Sequence, residues 1–149
     1  MAKVNAVPAG FHTVTPFLNV KGAAEAIAFY KKAFGAEERS RAPGPNNMIM
    51  HAEIKIGDSI LMISDAMQMP ATQSSMHLYV DDCDALWQRA LAAGCKVEMP
   101  IDNMFWGDRY GVVSDGWGNR WAISSHKEDV PESEMPKRME EAMKKMAKK

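Results

Sequence analysis

The chain has 149 residues, 46% of them apolar and 25% charged, with a formal net charge of −1, which is the composition of one ordinary water-soluble domain. So balanced a charge leaves no basic stripe for a nucleic-acid backbone, and no apolar run approaches the ~18 residues that span a bilayer, so neither nucleic acid nor membrane is expected as a partner. At this length about 68–70% of the unfolded chain's surface leaves water on folding, so the core needs no disulfide or structural metal.

The opening MAKVNAVPAGF is interrupted by Asn5, Pro8 and Gly10 before an export signal could form, so a cytoplasmic protein is expected. PFLNV (16–20) predicts a strand. Ile27, Tyr30 and Phe34 recur at helical spacing from Ala23 to Phe34, and Gly35 ends that helix. A short strand is expected near Glu37–Ser40, then MIMHAEIKI (48–56), a turn at Gly57-Asp58, and SILMIS (59–64). After the joining segment 64–74 the pattern returns. SMHLYV (75–80) reads as a strand, DDCD (81–84) as a helix entry, and Leu86, Trp87, Ala90 and Leu91 as one helical face closed by Gly94. Further strands follow near Lys96–Met99, at RYGVVSD (109–115) and at RWAISS (120–125), with a turn at 116–119. The tail from 126 to 149 reads as a terminal helix whose Met135, Met139, Met143 and Met146 form one stripe that needs covering, by this chain's own sheet or by a second subunit. Cys83 and Cys95 match no metal-ligand or redox spacing and read as reduced structural thiols.

Val20 and Val80, Ile63 and Ile123, and Ser64 and Ser124 are each sixty residues apart. A constant offset across strand, helix and hairpin implies two copies of one unit. The expected fold is α+β: two tandem βαβββ modules, about 13–65 and 74–127, with a helical tail over 128–149, in one domain spanning 1–149. Alternation along the strands sends Met50, Ala52, Ile54, Ile56, Leu61, Ile63, Met76, Leu78, Val80, Trp121 and Ile123 towards the helices. His51, Glu53, Lys55, Ile60, Met62, Ser64, Ser75, His77, Tyr79, Arg120, Ala122 and Ser124 take the other face. That mixture of polar, aromatic and apolar groups suits a ligand cavity between curved mixed sheets.

Two such modules, with FYKKAFGAE (29–37) closing the first helix and DRYGVVSDGWGNRW (108–121) forming the last hairpin, resemble the vicinal oxygen chelate superfamily. It contains glyoxalase I, extradiol dioxygenases and bleomycin- and fosfomycin-resistance proteins. HAEIKIGDS (51–59) and FWGDRYGVVSD (105–115) are similar to segments of its PhnB-like branch, and the resemblance runs from residue 13 to about 129. It implies the glyoxalase/bleomycin-resistance fold, a homodimer, and one divalent metal held by His, Gln or Glu from the first and last strands of each module. Counted along this sequence, those positions are Thr15, Met62, Ser75 and Ala122, which cannot supply three imidazole, carboxylate or thiolate donors. The expectation is therefore no metal and no cofactor.

A small, partly apolar organic ligand is expected to meet Phe17, Met62, His77, Tyr79, Trp106 and Arg109. The aromatics would supply area, Met62 an adaptable wall, and His77 and Arg109 polar orientation. Phe105 and Trp106 stand before Gly107 in a loop that could form the lip, while the same loop could instead hold an internal Asp108–Arg109 contact. The alternative is an enzyme: a metal-dependent lyase or dioxygenase using His51, Glu53 and His77 as an unusual ligand set, or a metal-free isomerase with Glu53 as base. Glu53 between His51 and Lys55 is equally compatible with an exposed charge ladder.

Overall fold

A computed structural model describes residues 3–67 and 69–148. Each half contains a strand, a helix and three more strands. In the first module these are β1 (Phe17–Val20), α1 (Ala23–Phe34), β2 (Glu37–Pro43), β3 (Ile49–Ile56) and β4 (Ser59–Asp65). In the second they are β5 (Ser75–Tyr79), α2 (Cys83–Ala93), β6 (Lys96–Asn103), β7 (Asp108–Ser114) and β8 (Arg120–His126). The sheets are four-stranded, ordered β1-β4-β3-β2 and β5-β8-β7-β6. In both, the first strand runs parallel to the last and the remaining pairs are antiparallel. The α+β architecture of two βαβββ modules is thus the one the sixty-residue offset implies. β2 and β6 extend past the short strands expected at 37–40 and 96–99.

The two helices end on glycines in the left-handed region, Gly35 (φ 70°) and Gly94 (φ 118°), which a side chain there would strain. Their apolar faces meet the inward strand residues, so Leu18, Val20, Ile27, Tyr30, Ile54 and Ile63 are buried with Trp121 and Ile123. Met76, Leu78 and Val80 pack against this core, as alternation requires.

The modules join through their helices. The Tyr30 ring of α1 stands 5.2 Å from Trp121, and its hydroxyl donates to Asp115 Oδ2 at 2.6 Å. Arg89 of α2 donates to the last carbonyls of α1, Nε to Lys32 O at 2.7 Å and Nη2 to Lys31 O at 3.1 Å. A cation at a helix C-terminus both satisfies open carbonyls and opposes the helix dipole.

Two expectations are corrected, and the burial of a third residue, Ile60, has a local cause. Met50 is exposed and Ile49 is buried, because β2 pairs Ala42 with His51 and Pro43 with Ile49, leaving Met50 as the extra residue of a bulge that reverses the alternation. Ile60 lies on the face away from the helix yet is only 5% exposed, since the N-terminal segment crosses it at Gly10, where a Cβ would sit 3.1 Å from Ile60 Cδ1. The tail forms a helix only from Met135 to Ala147 (α3), after a short turn at Glu132–Glu134, and none of its residues is buried. The Met stripe is therefore not covered by this chain's own sheet.

Candidate functional site

The face of the second sheet that points away from α2 is built from ladder rows. One row reads His77, Ala122, Val112 and Met99, and the next reads Tyr79, Ser124, Tyr110 and Asp102. Residues paired across a sheet project to the same side, so His77, Tyr79 and Tyr110 share one surface. The His77 ring centroid is 4.5 Å from Tyr79 and 5.5 Å from Tyr110, and Trp106 sets its edge against Tyr110 at 5.3 Å. His77 Nε2 lies 2.7 Å from Ser124 Oγ, whose hydroxyl donates to Leu78 O at 3.1 Å. Ser124 therefore accepts from Nε2–H, which in the neutral ring leaves Nδ1 as the acceptor.

Asp108, 4% exposed, ties this surface to the chain end. Its Oδ2 accepts from Trp106 Nε1 (3.0 Å) and the Tyr79 hydroxyl (3.3 Å), and its Oδ1 from His126 Nδ1 (2.7 Å). Burial pushes the carboxyl's pKa up, but the hydrogen bonds from His126, Trp106 and Tyr79 outweigh it and the net shift is downward. His126 Nε2 lies 2.7 Å from Asp129, so the imidazole stands between two carboxylates and its pKa rises, chiefly through Asp129 and then Asp108. The negative charge of Asp108 raises the Tyr79 phenol in turn. Gly107 makes this loop possible. Its φ is 102°, its carbonyl accepts from Lys127 N (2.9 Å) and Glu128 N (3.0 Å), and a Cβ there would stand 2.1 Å from Glu128 O.

The first sheet presents a second group. Phe17 pairs with Met62, Met62 with Glu53, and the Phe17 ring is 5.7 Å from His51. Glu53 is engaged by Arg39 at 3.4 Å and stands 3.8 Å from His51 Nε2, the ladder-like arrangement weighed above. The six expected ligand contacts are thus divided: Phe17 and Met62 on one sheet, His77, Tyr79 and Trp106 on the other. Arg109 joins neither. It points to the helix side of β7, where Nε donates to Asp84 at 2.9 Å and Nη1 to Asn103 at 3.2 Å. An Asp108–Arg109 contact is not what organises the loop. Tyr110, Ser124 and His126 were not among the expected contacts, although Asp108 and Tyr110 alternate in phase along β7.

A hollow of about 350 Å³ is lined by Tyr79, Val80, Asp81, Ser125 and His126, at the end of the second sheet. Another of about 380 Å³, lined in part by Lys21, Gln73 and Trp117, lies where the modules meet. Of the six residues only Tyr79 borders either.

In the ladders Met62 is paired with Phe17 and Ala122 with His77, so Thr15 and Ser75 stand two residues before the cross-strand neighbours of Met62 and Ala122. Phe17, Met62, His77 and Ala122 offer one imidazole and one thioether, which does not fit a divalent cation of the Zn or Mn type. Among the described residues no group of three or more His, Cys, Asp or Glu side chains is placed to hold a metal ion, so His51, Glu53 and His77 do not form a ligand set within one chain.

Over residues 10–123 the chain matches the Glyoxalase/Bleomycin resistance protein/Dioxygenase superfamily, and it belongs to that family. An uncharacterised protein of Mycobacterium tuberculosis H37Rv is 37% identical over 139 residues, covering 85% of this chain and 79% of that one. The fold is similar to that of TioX from Micromonospora sp. ML1, with a TM-score of 0.67 and 22% identity over 80% of this chain and 100% of that one. It is also similar to TnmS3, an antibiotic binding protein from Streptomyces sp. CB03234, with a TM-score of 0.64 and 23% identity over 83% of this chain and 100% of that one. No helix among the described residues is long and apolar enough to cross a membrane.

Proposed function

We propose that this chain is a PhnB-like, cytoplasmic, homodimeric member of the superfamily that binds a small, partly apolar organic molecule without the family's divalent metal. The observation that carries this reading is the pair of ladders that set Phe17 beside Met62 and His77 beside Ala122, where metal-dependent relatives need several hard or imidazole donors. What the surface does offer is contact area with one polar anchor. Tyr79, Tyr110 and Trp106 present ring faces and edges around His77, which suits a planar or partly aromatic guest hydrogen-bonded at the imidazole. Phe17 and Met62 form the corresponding wall on the first sheet. That a structural neighbour is an antibiotic binding protein supports the same class of activity. The PhnB-like assignment rests on the segments at 51–59 and 105–115.

Elemental analysis of protein purified without chelator tests the metal-free part: zinc, nickel, manganese and iron should all be substoichiometric, and chelator should leave the melting temperature unchanged. One tightly held metal per chain would overturn it. Native mass spectrometry should show a co-purifying organic compound that is lost on His77→Ala. A compound retained by that variant would place the ligand elsewhere.

A further inference from the structure

We propose that the guest of the second sheet is a planar organic cation bearing an N–H group, stacked on Tyr79, Tyr110 and Trp106 with the buried carboxylate of Asp108 behind the rings. This rests on the small-molecule reading above and adds the charge of the guest.

The polar hydrogens of this surface are spent inward. Trp106 Nε1 and the Tyr79 hydroxyl both donate to Asp108 Oδ2, at 3.0 and 3.3 Å. Tyr79 is nevertheless 65% exposed, so what it offers a guest is ring surface. A ring whose N–H or O–H is held by a carboxylate gains electron density, and ring faces attract cations through their quadrupole. Asp108 is itself too buried to meet a guest, so its charge acts through the rings in a setting where solvent screens it little.

An anion finds the opposite. Both donors are already committed, and Arg109, the guanidinium next in sequence, is held by Asp84 on the helix side of β7. Lys96 and Arg120 do lie on this face, in the row of Ser75 and Ser114. That row is six residues along β7 from Asp108, or ~20 Å, against a Debye length of ~8 Å at physiological salt. The rows that hold His77, Tyr79 and Asp108 contain no lysine or arginine, and Asp102 shares the row of Tyr79 and Tyr110. His126 does not cancel Asp108, because Asp129 stands on its other nitrogen and two carboxylates face one imidazole. The hollow beside Tyr79 adds the carboxylate of Asp81. His77 supplies the remaining preference: with Nε2–H given to Ser124, Nδ1 of the neutral ring is an acceptor and matches a donor on the guest.

Equilibrium dialysis of the full chain at neutral pH against three compounds of similar shape tests this: the cation 4-amino-1-methylquinolinium, the neutral 4-methyl-1-naphthylamine and the anion 4-amino-1-naphthoate. The cation should bind about tenfold more tightly than the neutral compound, and the anion more weakly than either. Asp108→Asn should bring the cation and the neutral compound within about twofold of each other, and Tyr79→Leu, at an exposed position, should do the same. Equal affinities for all three would keep the small-molecule reading and overturn the charge assigned to the guest, as would tighter binding of the neutral compound or the anion. No binding of any of them at millimolar concentration would overturn both readings. A folded Asp108→Asn variant, or a Tyr79→Leu variant, that keeps the full preference for the cation would overturn the role given to the carboxylate and its rings.

Discussion

Asp65 and Ser125 stand sixty residues apart and do the same work: each reaches from the last strand of its module to the first backbone N–H groups of that module's helix. Asp65 Oδ1 accepts from Gly22 N and Ala23 N, both at 2.9 Å, and its Oδ2 from Ile49 N at 2.7 Å. Ser125 Oγ accepts from Cys83 N at 3.0 Å and donates to Val80 O at 2.6 Å. Helix N-termini leave N–H groups without internal partners, and here the sheet supplies an acceptor, in place of a side-chain cap at Gly22 for α1 and alongside the Asp82 cap for α2. The repeat therefore extends to the joint between strand and helix.

The two caps differ in strength, which sets the first prediction. Asp65→Ala leaves three N–H groups without an acceptor and should cost about 3 kcal/mol, whereas Ser125→Ala should cost about 1 kcal/mol, because Asp82 also caps α2 through Ala85 N. Urea unfolding of the two variants measures this, and equal losses would contradict it. Burial raises the Asp65 pKa, but the N–H groups of Ile49, Ala23 and Gly22 outweigh it and the net shift is downward. The linked stability is thus present above the unfolded-state carboxyl value near 4 and is lost as pH falls through the folded one. Asp65→Asn should flatten that acid limb.

Tyr30 is the buried polar joint between modules. Its hydroxyl donates to Asp115, accepts from Asn119 Nδ2 at 3.3 Å, and is shut from water, so burial and then Asp115 push the phenol's pKa far up and it stays neutral. Tyr30→Phe keeps the ring contact with Trp121 and removes only the hydroxyl. A loss of about 1–2 kcal/mol is expected, with the transition still single and cooperative. A separate early transition of one module would show that the joint depends on this bond more than on apolar packing.

Much of this arrangement is readable from residue order because it depends on local period. The offset of Val20 and Val80 gives the duplication, and the phase of Met76, Leu78 and Val80 gives the inward face. What escapes such reading depends on partners distant in sequence. Nothing near Met50 announces that Pro43 pairs with Ile49. Arg109 reads both as part of a cavity lip and as the first residue of the strand over 109–115; β7 follows the strand phase, which turns Arg109 to Asp84 and turns Asp108 and Tyr110 to the opposite face. Thr15 and Ser75 follow from counting along strands, whereas the ladders that set Phe17 beside Met62 and His77 beside Ala122 exist only between strands. The sheet assignment of Phe17 and Met62 against His77, Tyr79 and Trp106 is likewise a property of the fold.

Gly107 gives a test of how the aromatic loop is held. Alanine there would require a positive φ and place a methyl against Glu128 O, where the chain leaves β8. The backbone cannot yield without breaking the bonds from Lys127 N and Glu128 N to Gly107 O. Gly107→Ala should therefore cost about 2–4 kcal/mol. Gly57, which also has a positive φ but no atom within 4 Å of a Cβ, is the control. Gly57→Ala should show the strain alone, at about 1 kcal/mol. Equal losses in thermal unfolding would remove the steric argument.

His126 is the group through which pH should reach this region. With one carboxylate on each ring nitrogen, the doubly protonated imidazole is favoured and its pKa rises above the ordinary 6.5. The stability it contributes is complete below the unfolded-state value and is lost as pH climbs through the folded one, the opposite sense to Asp65. Proton NMR of the ring Cε1–H should show a midpoint above 6.5. Asp129→Asn should lower that midpoint more than any distant charge change, since Asp129 is the larger of the two influences. Because Asp108 also receives Trp106 Nε1 and the Tyr79 hydroxyl, deprotonating His126 removes the positive charge beside a buried carboxylate that those two groups share. Trp106 fluorescence should change over the same pH interval. A midpoint at or below 6.5, or a Trp106 signal that ignores it, would show that the His126–Asp108 contact does not couple the chain end to the aromatic surface.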